Sequence, residues 1–195
     1  MRMKFTSGGS TQYGMITNVG VFSGGSTIFT FYAGTAYALG GGSITSPFYS
    51  PNKTPFGFIT NPTYWTEQYK SSSDFSLSPA TGVWVNPGTA TVVIPIGIWR
   101  AWYSVVLQAN TTSAPNILAT FSTGTATQSD TDFTTILSAS AAAVLNFTAS
   151  REKFISLASK TSYFLNAQYN GTASLLSFLG ASYAPTIINV TSAYL

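Results

Sequence analysis

The sequence contains no cysteine and no histidine. The absence of cysteine excludes disulfides, thiolate catalysis and cysteine-ligated zinc, and it leaves the cellular compartment undetermined. The absence of histidine removes the usual general base at neutral pH and a common transition-metal ligand. A catalytic triad of the common kind therefore cannot be built from this chain.

Charged residues are also scarce, at 7% of the 195 residues, against about 25% in a typical soluble domain. Eight cations and five anions give a net charge of +3, too small and too dispersed an excess to indicate nucleic-acid binding. Hydrophobic residues make up 45%. High hydrophobicity with low charge is the opposite of the composition of disordered chains, so we expect an ordered fold.

Long hydrophobic runs are missing. No segment approaches the roughly 18 to 20 apolar residues that a membrane-spanning helix needs, so we expect no membrane span. Arg2 and Lys4 are not followed by an apolar stretch, and the sequence therefore predicts no secretory signal peptide.

The acidic side chains are few enough to consider one by one: Glu67, Asp74, Asp130, Asp132 and Glu152. Asp130 and Asp132 would share one face of a strand and could then hold a hard cation such as calcium; the alternative is a solvated turn. No further acidic ligands cluster nearby, and the glycine clusters lack a phosphate-loop pattern. We therefore expect no metal, no cofactor and no enzymatic activity.

The amino-terminal third differs in composition from the rest. Residues 1–50 are rich in Gly and Ser and include one strand-like segment at 28–33, which predicts an extended arm with at least one strand. Prolines and aromatics are interleaved from Pro47 to Tyr69, a pattern typical of a loop packed down by its rings. We expect residues 51–195 to form the main domain.

From Asp74 onward, short apolar segments recur about every 8 to 12 residues with turn signals between them, as in an antiparallel β-sandwich or barrel. The Ala-rich stretch at 138–143 is compatible with a helical turn. Arg151, Glu152 and Lys153 form the densest group of charges, which we interpret as a solvated loop before a strand at Phe154; the alternative is contact with an acidic partner.

Five aromatic or charged residues are candidates for an interface. Arg100 lies between Trp99 and Trp102 in an apolar strand, which favours either an intersubunit contact or a pair with a carboxylate; the alternative is an outward-facing residue on an alternating strand. Tyr64 and Trp65 could contact glycans or a partner, although packing is the default role of such rings.

Five sequons for N-glycosylation occur in this Thr-rich chain, and chance explains several of them. Their asparagines are Asn52, Asn110, Asn146, Asn170 and Asn189.

Two motifs carry a family resemblance. The text from Ser78 to Trp84 resembles the P-A-T-G turn of complement-type globular heads and tumour-necrosis-factor-like domains, and Pro95, Gly97, Trp99, Tyr103 and Val105 resemble their following strand. The segment from Tyr163 to Leu195 is similar to the closing strands of related domains encoded by large DNA viruses. The resemblance covers Phe75 to Leu195. Trp99 replaces the family's usual Tyr, and Arg100 and Trp102 are bulkier or more charged than its usual residues.

The resemblance implies an all-β fold, an antiparallel β-sandwich of jelly-roll topology, in a family whose members usually trimerise. It also implies a wider class that includes single jelly-roll capsid and penton proteins. A surface with little charge suits a subunit whose faces are covered. We therefore expect a structural protein of the virion, a minor capsid or penton subunit that forms a trimer or pentamer and contacts other capsid proteins. The alternative is a trimeric fibre head that binds a host receptor or glycan.

Overall fold

The computed structural model describes residues 1–32, 39, 42–51, 66–111, 116–138, 144–171 and 173–193. Within these ranges every helix or strand is a β-strand, which confirms the all-β prediction. Tyr64, Trp65, Asn52 and residues 139–143 of the Ala-rich stretch lie outside the described residues.

In the described part of the first fifty residues, four strands pair with one another in an antiparallel N-terminal sheet of order β3-β2-β1-β4. An arm with at least one strand was expected; three more strands accompany it, and Pro47 lies in an edge strand rather than in the predicted loop. Edge strands tolerate proline because one side of the backbone needs no partner. The strands are β1 (Arg2–Ser7), β2 (Ser10–Val19), β3 (Phe29–Tyr32) and β4 (Thr45–Ser50).

The residues described after Pro51 form two further antiparallel sheets. The first sandwich sheet has the order β10-β9-β12-β7, and in the second β8 pairs with β11 on one side and with β13 and β14 on the other. Their strands are β5 (Thr66–Ser71), β6 (Asp74–Leu77), β7 (Thr91–Ile94), β8 (Gly97–Thr111), β9 (Asn116–Ser122), β10 (Thr134–Ser138), β11 (Val144–Leu157), β12 (Thr161–Asn170), β13 (Ala173–Leu179) and β14 (Thr186–Ser192).

The chain crosses repeatedly between the two sandwich sheets. The chain passes from β7 to β8, back to β9 and β10, then to β11, to β12, and finally to β13 and β14. This path gives two interlocked Greek keys, the jelly-roll arrangement. The predicted jelly-roll sandwich is therefore confirmed as a fold class.

Two neighbouring rows of the second sandwich sheet each consist of two strands separated by a short interruption. In the first row β13 and β14 pair with successive parts of β8; in the second row β6 pairs with β13 and β5 pairs with β14. The two interruptions lie side by side, and we call this feature the double break. Asp74 accepts hydrogen bonds from the backbone amides of Ala181 at 2.8 Å and Ser182 at 3.1 Å, and from the Ser182 hydroxyl. At Gly180 a Cβ would lie 2.6 Å from the Ser73 carbonyl oxygen, so the break has room only for glycine.

Aromatic rings fill the space between the two sandwich sheets. The centroid of the Phe133 ring lies 5.8 Å from that of Tyr103 and 5.3 Å from that of Phe121. The Phe121 and Tyr163 ring centroids are 4.9 Å apart. The Tyr103 hydroxyl donates to the Ala119 carbonyl across the sandwich at 2.9 Å. The core is thus held by ring packing and by a hydrogen bond from one sheet to the other.

The N-terminal sheet packs against the sandwich at the start of β8. Met15 is fully buried and belongs to the main core, and the Ser192 hydroxyl lies 2.9 Å from its sulfur. Gly97 has a φ of 131°, and a Cβ there would come within 3.0 Å of Thr17. Close approach of β2 therefore requires glycine at this position.

One expectation about charge is wrong. Arg151, Glu152 and Lys153 do not form a loop but lie in the middle of the continuous strand β11. Because β11 pairs with β8 on one side, these residues occupy an edge strand, where charges discourage pairing with another chain.

Candidate interaction surfaces

The alternation of β8 decides which of its residues reach the surface. Trp99, Ala101 and Tyr103 are fully buried, whereas Arg100 and Trp102 point away from the core, as successive side chains of a strand must. The Trp99 indole nitrogen donates to the Pro95 carbonyl at 2.8 Å. Trp99 is therefore a core residue with its polar atom satisfied, and its ring is not available to a partner on the surface.

Arg100 combines two of the roles weighed for it. Its side chain is 59% exposed, and its guanidinium lies 2.7 Å from Glu152 Oε2 on the adjacent strand β11. The hydrogen bond between them raises the pKa of Arg100 and lowers the pKa of Glu152. Arg100 thus faces outward and is paired with a carboxylate, so the cation is compensated without an intersubunit contact.

Arg100, Trp102 and Glu152 line a cleft of about 540 Å³ on the outer face of the second sandwich sheet. The register places Asn189 and Glu152 on either side of Trp102, and Thr191 and Phe154 on either side of Arg100. Phe154 is 62% exposed. The lining is completed by Ser192 and Ala193, and we call this site the outer cleft.

Of the eight residues that line the outer cleft, only Arg100 and Trp102 were predicted as interface candidates. The six that sequence reasoning missed are Glu152, Phe154, Asn189, Thr191, Ser192 and Ala193. The alternation of β14, with Ile188 and Val190 fully buried, is a signal that would have turned Asn189 and Thr191 outward. No comparable signal brings Glu152 to Trp102, because the 14-residue register of β11 on β8 is a long-range pairing.

A second surface lies on the N-terminal sheet. An apolar groove of about 440 Å³ is lined by Met1, Met3, Ile16, Phe29, Pro47, Phe48 and Tyr49. At the turn between β2 and β3, Val21 is 92% exposed, Phe22 70% and Ile28 76%. We call these three residues the hairpin tip. The low content of charged residues predicted surfaces that partners cover, but it did not indicate that such a surface lies on the N-terminal sheet.

Asp130 and Asp132 lie in the turn before β10 and not on a strand. The Lys153 ammonium is 2.6 Å from Asp130 Oδ2 and 3.7 Å from Asp132 Oδ2. Its hydrogen bond lowers the pKa of Asp130, and the same bond raises the pKa of Lys153. Within the described ranges no group of three or more acidic residues is placed to hold a metal ion.

Four of the five sequon asparagines lie in the described part of the chain. Asn110, Asn146 and Asn170 are exposed, and Asn189 is half-buried in β14. The Asn146 amide donates to the Tyr183 hydroxyl at 2.5 Å and accepts from Gln108 at 2.9 Å. A glycan on Asn189 would have to leave through the outer cleft, whereas Asn110 and Asn170 lie at strand ends.

Among the described residues no helix is long and apolar enough to cross a membrane.

No protein-family model matches this chain, and no curated protein matches it either. Among solved structures, the chain is similar to the VP2 subviral particle of infectious bursal disease virus, with 13% identity and a TM-score of 0.34. That match covers 98% of this chain and 60% of the other, so the chain spans less than two thirds of its neighbour.

Proposed function

We propose that the protein is a structural subunit of a virus particle, a minor capsid or penton component that assembles with copies of itself and with other capsid proteins. The observation that carries the proposal is the exposed apolar surface of the N-terminal sheet. Val21, Phe22 and Ile28 project from the hairpin tip with 70% to 92% of their surface exposed. The apolar groove lies on the same sheet.

Such a concentration of exposed apolar side chains is typical of a surface that a partner covers. Burial stabilises by about 25 cal/mol for each Å² of apolar surface, so a few large side chains supply several kcal/mol to association. Only 7% of the residues are charged, and the chain therefore has little charge repulsion to oppose assembly. The viral setting of the proposal comes from the motif resemblance, and the virion is the location it implies.

Native mass spectrometry and sedimentation velocity test the proposal. We expect the purified protein to form a closed trimer or pentamer, and the double variant Phe22→Ser, Tyr49→Ser to weaken association at least about tenfold, the equivalent of 1.4 kcal/mol. Ile136→Ser is the matched control because Ile136 is 63% exposed but lies on β10, away from the N-terminal sheet. A wild-type protein that stays monomeric at high concentration, or equal effects of both variants, would contradict the proposal.

A fibre head or receptor-binding module is the second candidate, and the outer cleft favours it. An aromatic ring beside a carboxylate, a guanidinium and an amide is a suitable lining for a polar ligand. A compact trimer without larger assemblies would favour this candidate, and fivefold rings in negative-stain images would favour the penton. We propose no catalytic role in either case. The chain has five carboxylate side chains as candidate acids and bases, and it has no histidine or cysteine to act with them.

A further inference from the structure

Each of the two rows of side chains across the outer cleft contains one aromatic ring and two polar groups. Along one row of the sheet, Trp102 stands between Glu152 and Asn189. Along the next row, Arg100 stands between Phe154 and Thr191. A ligand in this cleft would therefore meet apolar faces and hydrogen-bonding groups at the same time.

Asn189 supplies a second, independent observation. Its side-chain Oδ1 is buried and has no hydrogen-bond partner among the described residues. A buried acceptor without a donor destabilises a protein, and such groups in a cleft call for an explanation. Because Oδ1 has almost no accessible surface, the Asn189 amide has to turn toward the cleft before a ligand hydroxyl can donate to it. That hydrogen bond would then remove the penalty.

The charges of the cleft limit the class of ligand. Arg100 and Glu152 lie 2.7 Å apart, so the positive and negative charges neutralise each other. The cleft therefore gives no net attraction to an anion or a cation. A neutral ligand that carries both hydroxyl groups and an apolar face satisfies the ring, the ion pair and the amide together.

We infer that the outer cleft binds a neutral saccharide. The apolar face of a pyranose ring lies against the Trp102 indole, one hydroxyl donates to Asn189 Oδ1, and neighbouring hydroxyls bond to Glu152 and Arg100. A volume of about 540 Å³ lies within the range of roughly 300 to 1,000 Å³ found for small-molecule sites. The inference goes beyond assembly, since it concerns the sandwich and not the apolar surface of the N-terminal sheet.

The test uses saturation-transfer NMR and titration of the full chain with glucose, galactose, mannose and N-acetylglucosamine. Glucuronic acid and N-acetylneuraminic acid serve as anionic comparisons. We expect at least one neutral sugar to bind better than both acids. Trp102→Ala and Asn189→Leu should each weaken that binding about tenfold, which corresponds to losing one stacking or hydrogen-bonding contact.

Matched variants separate a binding effect from a folding effect. Tyr183→Ala removes an aromatic that is 60% exposed on the same side of the sheet. It contacts Asn146, about 20 Å from Glu152 along β11 at roughly 3.3 Å per residue, and should leave sugar binding unchanged. Trp102→Phe keeps a ring and should retain part of the affinity if Trp102→Ala fails to fold. Glu152→Gln makes the cleft cationic and should improve binding of the two acids.

Three results would overturn the inference. The first is no binding of any of the four neutral sugars, and the second is a wild-type preference for the acids. The third is a change in native mass in Trp102→Ala, which would make the outer cleft an intersubunit contact occupied by polypeptide. The Phe22→Ser, Tyr49→Ser variant is expected to bind sugar normally, so failure of the assembly proposal and failure of this inference give different results.

Discussion

The hydrogen bond from Tyr103 across the sandwich provides the sharpest test of how the two sheets are held together. Tyr103 is fully buried, and its hydroxyl lies 2.9 Å from the Ala119 carbonyl oxygen and 3.0 Å from Thr135 Oγ1. Burial raises the pKa of the Tyr103 phenol, so the group stays a neutral donor at physiological pH. Tyr103→Phe keeps the ring against Phe133 and removes only the hydroxyl.

The expected cost follows from the environment of that hydroxyl. A net hydrogen bond contributes about 1 kcal/mol, and a buried group left without its partner raises the loss to about 2 kcal/mol. For a chain of this length 1 kcal/mol changes Tm by about 2 to 4 °C, so Tyr103→Phe should lower Tm by about 2 to 8 °C. Differential scanning calorimetry at fixed protein concentration measures the change.

Tyr69→Phe is the matched control for this experiment. The Tyr69 hydroxyl makes a bond of nearly equal length, 2.9 Å, to Thr89 Oγ1, but at an exposed position. Water replaces an exposed partner, so this variant should lose less than about 0.5 kcal/mol. Equal losses in the two variants, or a Tyr103→Phe variant as stable as wild type, would refute the argument that this buried bond stabilises the sandwich.

Three further predictions concern particular residues. Gly180→Ala should lower the free energy of unfolding, measured by urea denaturation, by about 1 to 3 kcal/mol, because its Cβ would meet backbone oxygens at 2.6 and 2.8 Å. Gly14→Ala, whose Cβ would meet only the Phe31 ring at 2.9 Å, should lower it less. The Ser182 and Ala181 donors lower the pKa of Asp74 from its ordinary value. The stabilising contribution of Asp74 is therefore fully present above the ordinary carboxyl pKa and is lost as pH falls through the lowered pKa. Asp74→Asn should therefore flatten the acid limb of a Tm-against-pH profile, and an unchanged limb would contradict this. Phe121→Ala should destabilise by about 3 to 5 kcal/mol, whereas Ile136→Ser, at a 63% exposed position, should stay within about 0.5 kcal/mol; chemical denaturation compares them.

The sandwich was predictable because its information is local. Regular spacing of short apolar segments between turns indicates antiparallel strands, and the alternation in β8 places Tyr103 and Val105 in the core. The charged group at 151–153 misled the prediction because a solvated loop and a charged edge strand have the same composition. Their difference lies in the pairing of β11 with β8, which a local pattern does not record.

The candidate site was only partly predictable for the same reason. Arg100 and Trp102 stand out as a cation and an aromatic within an apolar strand. Glu152 and Asn189 join them through two long-range registers, one on each side of β8. Trp99 was grouped with the surface candidates because neighbouring aromatics look alike in sequence, and only its fully buried position separates it from them.

The double break has a consequence for how this fold tolerates change in length. Asp74 holds the turn that follows Gly180 through two backbone amides and one hydroxyl, while the strands on both sides of the turn keep their own partners. Residues added at 183–184, beyond the anchored amides, would extend outward without altering the register of any strand. The turn is thus a natural point for engineering, at which a peptide epitope can be displayed on the outside of the sandwich.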